Sequence, residues 1–149
     1  MDFRTIFQKP DAAAVEVKHD GGVTFYLYPR DHSSAQAVLQ RKAKIDVLRR
    51  AMNFYNDKEG EFMDRVARHY ATMDEYSRFM NSFYAAHIAG WSDLEQDGAP
   101  LPHSYETALG LLEFDAFRNW IEEKINALAD DKAEAAQLDE DIKKKSSEE

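Results

Sequence analysis

The sequence predicts an α+β domain, predominantly helical, with an N-terminal β-hairpin packed on about four helices and a charged, flexible C-terminal tail. Three observations predict it. A β-branched and aromatic stretch near the start is interrupted by a glycine pair, Gly21-Gly22. Most of the chain beyond that stretch repeats its apolar residues at steps of three and four, the period of a helix with one buried face. Past Asp130 the large apolar residues thin to Leu138 and Ile142 among charges. A chain of 149 residues suits one core. The expected division is a globular domain over 1–130 and a tail over 131–149, helical in part or disordered.

Residues 1–12 show no period and read as an N-terminal arm. The hairpin, about 13–29, pairs Val15-Glu16-Val17-Lys18 with Val23-Thr24-Phe25-Tyr26-Leu27-Tyr28. His19-Asp20-Gly21-Gly22 between them supplies the positive φ that a tight turn needs. Val23, Phe25 and Leu27 should face the core, and Thr24, Tyr26 and Tyr28 the less buried side. Pro29 removes a ladder donor and ends the strand.

Asp31-His32-Ser33-Ser34 is rich in capping residues and opens a helix over about 34–55, with Val38, Ile45, Leu48, Met52 and Tyr55 as its stripe. Asn56-Asp57-Lys58-Glu59-Gly60 breaks it. Next, Phe62, Val66, His69, Met73, Tyr76, Met80, Phe83 and His87 alternate steps of four and three. One helix over 61–89 with a kink is favoured over two, although Thr72-Met73-Asp74-Glu75 spells a capping box near Ala71. Gly90 is the expected stop.

Residues 91–103 read as a loop, with Asp97-Gly98 as a turn pair and Pro100 and Pro102 opposing a helix. Ser104 should cap a short helix over about 105–113. Asp115 should cap the last, 116–130, whose face carries Phe117, Trp120, Ile121, Ile125 and Leu128.

Composition excludes several classes of chemistry. The absence of cysteine removes disulfides, thiolate zinc sites and cysteine nucleophiles. The five histidines show no H-x-x-x-H spacing, and no Walker loop, dinucleotide fingerprint or Gly-x-Ser-x-Gly elbow occurs. The chain is therefore expected to be non-catalytic, with no metal and no cofactor. Its net charge is −9, with +2 over residues 1–60 and −11 over 61–149. That opposes binding to nucleic acid and to anionic membranes. The cations from Arg41 to Arg50 are the one local exception, and they fall around the helix as well as along it. No apolar run reaches the length of a membrane span. The Phe62–Phe83 stripe of Phe, Tyr and Met serves as helix core and is also a candidate partner groove, because methionine surfaces adapt to their ligands.

One stretch is more specific. Ala86-His87-Ile88-Ala89-Gly90-Trp91 leads to Asp93-Leu94, the Asp97-Gly98 turn and Pro100-Leu101-Pro102. Ser104-Tyr105-Glu106, a leucine-rich helix and Phe117-Arg118-Asn119-Trp120-Ile121 come next. This order, with Phe25-Tyr26-Leu27 upstream, resembles the tail assembly chaperones of long-tailed bacteriophages and prophages. The resemblance implies a small, mainly helical protein of the bacterial host cytoplasm that binds the tape-measure protein, keeps it soluble and is left out of the mature virion. It implies that some members gain a longer form by a frameshift near the C-terminus. The tail tube protein and a second copy of the chain are further partners it allows. Tyr26 and Tyr28 on the hairpin, and Trp91 and Leu94 after the long helix, are the expected partner contacts. The competing expectation is another phage or bacterial interaction module: a regulator, an inhibitor of a host factor or a minor tail component.

Overall fold

In the computed structural model residues 13–129 are described. The expected N-terminal arm and the tail over 131–149 lie outside them. The fold class is the expected one, α+β and mostly helical. The first two strands are β1 (Val15–Lys18) and β2 (Thr24–Leu27). Helices α1 (Ser33–Arg41), α2 (Ile45–Asn56), α3 (Phe62–His69) and α4 (Met73–His87) succeed them. Strand β3 (Ile88–Ser92), the small strands β4 (Glu95–Gln96) and β5 (Ala99–Pro100), and helix α5 (Tyr105–Leu111) come next. A last helix, α6, occupies residues 115–129.

The hairpin forms as the sequence requires. His19 and Gly22 close the turn, and of the two glycines Gly22 alone takes positive φ, +85°. Phe25 and Leu27 point into the core. The hairpin does not stand alone: β3 adds to β2 and gives an antiparallel sheet in the order β1-β2-β3. The helix expected to stop at Gly90 ends at His87, and Gly90 pairs with Tyr26 inside the sheet. Leu27 pairs with Ile88 and Tyr26 with Gly90, so Ala89 is an extra residue that bulges β3. The expected loop over 91–103 thus contains the end of β3 and a second hairpin. Asp97 and Gly98, at φ 54° and 80°, make the two-residue turn between β4 and β5.

Both of the long helices expected from the sequence are broken in two. The expected 34–55 helix stops at Arg41 in a Schellman motif. Lys44 N–H donates to the Leu39 carbonyl at 2.8 Å and Ala43 N–H to that of Gln40 at 3.0 Å, with Ala43 held at φ +57°. That position normally holds glycine, so Ala43 hid the stop. The break rephases the apolar stripe. Val47, Leu48, Ala51 and Phe54 are buried, whereas Ile45 is 56% exposed. Replacing Ala43 with glycine should relieve the left-handed backbone and raise the unfolding free energy by roughly 0.5–1 kcal/mol. Urea unfolding would read this as a higher midpoint, and a lower midpoint would contradict the motif.

The 61–89 helix breaks at Tyr70-Ala71-Thr72, where the capping box was visible. Thr72 Oγ1 accepts from Glu75 N–H at 3.0 Å, and Glu75 Oε2 accepts from Ala71 N–H at 3.1 Å. Asp57, just past α2, clamps the other side of the break. Its carboxylate takes Arg68 at 2.8 and 3.0 Å and His69 at 2.9 Å. These bonds hold the Asp57 carboxyl far below the usual carboxylate range, the Arg68 bond most of all.

At the other end of the chain Ser104 caps α5 as expected, in a box with Thr107. The last helix begins one residue early: Phe114 offers the first carbonyl, to Arg118 N–H at 3.0 Å, so Asp115 is inside the helix and not its cap.

Helix α4 is the axis of the fold. It packs against α1, α2 and α5 and continues into β3 without a loop. Its second half, from Ser82 to His87, is buried on every side, as a central helix must be. Aromatic rings gather at both ends. Phe25 of the sheet meets Phe117 and Trp120 of α6 at 5.3 and 5.4 Å. Phe54 of α2 meets Phe62, Tyr70 and Tyr76 at 5.9, 6.2 and 5.5 Å.

Candidate partner-binding groove

The four expected contact residues do not form one surface. Phe25 lies opposite Trp91 and Tyr26 opposite Gly90, so Tyr26 and Trp91 point to opposite faces of the sheet. Trp91 is built into the fold. Its indole N–H donates to the Leu101 carbonyl at 2.8 Å, and its ring meets His103 at 4.9 Å. Leu94 is half-buried, and its carbonyl accepts from Leu101 N–H at 2.9 Å. Tyr26 is half-buried. Tyr28, expected on the less buried face, is instead only 8% exposed. Strand alternation ends with Leu27: Tyr28 N–H leaves the ladder for the His87 carbonyl, and its ring stacks on His32 at 5.2 Å.

The basic cluster is also divided. Arg49 pairs with Asp46 at 2.9 Å, Arg50 pairs with Glu75, and Lys42 reaches Glu106 at 2.7 Å. Much of this charge is matched within the chain.

The break at Ala71 creates a groove that the apolar stripe only partly foreshadows. Had α3 and α4 been one helix, Phe62 and Met73 would lie along a single stripe. Because the chain folds back, Phe62 and Met73 become two rims. Tyr76, Met80 and Tyr84 form the floor between them, and α6 adds Arg118, Asn119 and Glu122 as the far wall. The hollow measures about 230 Å³. Phe62 is 40% exposed, Met73 43% and the neighbouring Met63 57%. Large apolar side chains left open together are the informative kind of exposure. The part played by α6 was not legible, because the chain between Met73 and Arg118 is long and no period links them.

The groove is lined mainly by aromatic and methionine side chains. Tyr84 is buried and its hydroxyl lies 3.0 Å from that of Tyr55. Burial holds the Tyr84, Tyr76 and Tyr55 phenols above their ordinary range, so all three stay neutral at physiological pH. The charged side chains on its lining are Arg118 and Glu122. Arg118 faces Asp115 at 3.5 Å. Among the described residues no group of three or more His, Cys, Asp or Glu side chains is placed to share a metal ion. Nor is any helix among them long and apolar enough to cross a membrane.

The chain matches no protein-family model, no curated protein and no solved structure.

Proposed function

We propose that this chain is a non-catalytic holding protein, a tail assembly chaperone of a long-tailed phage or prophage, which keeps a tape-measure protein soluble in the bacterial host. The observation that carries this reading is the open apolar groove rimmed by Phe62 and Met73. A tape-measure chain is long and helical, and its apolar faces stay uncovered until the tube forms around it. A groove floored by Tyr and Met suits such a face, because helix-in-groove recognition places apolar anchors at helical spacing and methionine adapts to their shape. The net charge of −9 keeps the complex soluble. The order of turns and helices from Ala86 to Ile121 supports the same family.

Co-expression with a tape-measure protein tests the reading. The expected result is a soluble complex that co-purifies, with the chaperone missing from purified virions. The change Met73→Asp should abolish co-purification at little cost in thermal stability, since this side chain is exposed. A tape-measure protein equally soluble with and without this chain would end the proposal.

A further inference from the structure

Glu122 stands in the groove. Its side chain lines the hollow beside Tyr76, Tyr84 and Met80, and the residue is half-buried. Among the described residues it makes no ion pair and no side-chain hydrogen bond. Arg118, one turn earlier on α6, lines the same hollow and pairs with Asp115 at 3.5 Å. The phenols nearby are neutral and supply no countercharge. The residues flanking the rims are acidic as well: Glu61 and Asp64 beside Phe62, and Asp74 beside Met73.

A carboxylate in an apolar recess loses hydration when the recess is covered. If the covering face is wholly apolar, that cost is uncompensated. A covering face with one cation at the matching position replaces the lost water by a charge-assisted hydrogen bond. We propose that the groove selects a helix whose apolar seam is interrupted by a lysine or arginine, and that Glu122 receives that cation. This rests on the groove being the partner site. Glu122 then sets specificity and register, because the cation must fall where the apolar anchors meet Phe62 and Met73. A seam carrying glutamate at the same point is rejected by like charge.

Three synthetic helical peptides test it against the full chain by fluorescence anisotropy. They share one leucine seam and differ at its centre, which is lysine, norleucine or glutamate. The lysine peptide should bind at least tenfold more tightly than the glutamate peptide. Glu122→Gln should collapse that preference at moderate salt, where the long-range pull is screened, and Glu122→Lys should invert it. The long-range pull of the chain's negative charge survives in Glu122→Gln and fades with salt, so it is separable from a local pair. Equal binding of the lysine and glutamate peptides, or a preference untouched by Glu122→Gln, overturns the inference. If those equal affinities are both lost in Met73→Asp, the groove stands and only charge selection falls. If none of the peptides binds the native chain, the groove reading fails and this inference goes with it.

Discussion

Acidification from pH 6.5 to pH 4 should remove about 3 kcal/mol of stability through one side chain, His87. The imidazole is fully buried at the end of α4. Its Nδ1–H donates to the Phe83 carbonyl at 2.7 Å, and its Nε2 accepts from Asp31 N–H at 3.1 Å. That second bond needs a neutral ring, so the tautomer is fixed. Burial, with lesser repulsion from His32 and Arg30, pulls its pKa down to about 4, against the stabilising pull of the Phe83 carbonyl. The native state therefore holds His87 unprotonated down to about pH 4, while the unfolded chain takes up a proton near pH 6.5. Between these values the unfolded state binds more protons, and stability falls as pH falls. Above pH 6.5 the full contribution is present. Asp31, whose carboxyl burial raises, works in the opposite direction and offsets part of the loss. Urea unfolding at several pH values, with native chain and His87→Gln side by side, isolates the effect. The variant should show a flatter profile across this window, and parallel profiles would refute the assignment.

Truncating Phe54 to alanine should cost about 3–5 kcal/mol, a large part of the roughly 5–15 kcal/mol that holds a typical domain together. Phe54 is 4% exposed and joins three helices. Beyond Phe62, Tyr70 and Tyr76, its ring meets His69 at 6.2 Å, and the Arg65 guanidinium lies over it at 5.2 Å. Alanine leaves a cavity under α3 and removes the wall against which Phe62 rests. Peptide binding in the groove should therefore weaken together with stability. Phe54→Leu, which keeps most of the volume, should lose far less of both. A loss below about 1 kcal/mol for Phe54→Ala in a denaturant titration would show that α3 is held by other contacts.

Much of the fold was legible because local chemistry and tertiary structure agree. The glycine turn of the first hairpin, the Asp97-Gly98 turn and the Ser104 cap each stand where their residue types require. The misses have physical causes. The stop after α1 was invisible because alanine occupies a left-handed position, held by local hydrogen bonds, where glycine is the usual signal. The break at Thr72 was written in its capping box, but an unbroken apolar period outvoted it; Asp57, gripping Arg68 and His69 from across a turn, tips the balance. Strand β3 looked like the end of a helix because Ile88-Ala89-Gly90 shows no alternation of apolar and polar residues. The groove was half legible. Its Phe, Tyr and Met residues stand out as a stripe, but which of them stay open depends on where α6 lies.

The direct passage from α4 into β3 bears on the order in which the molecule is assembled. Leu27 must wait for Ile88, far along the chain, before the sheet has its third strand. A two-stranded ribbon is marginal in water, so the early hairpin gains lasting support only when that distant segment arrives. As the ribosome extends the chain, the edge of β2 and the ring of Phe25 remain uncovered through the synthesis of four helices. The nascent protein thus carries its own sticky edge for much of its translation; α4 delivers the strand that seals it, and the ring of Phe25 waits further for Phe117 and Trp120 of α6.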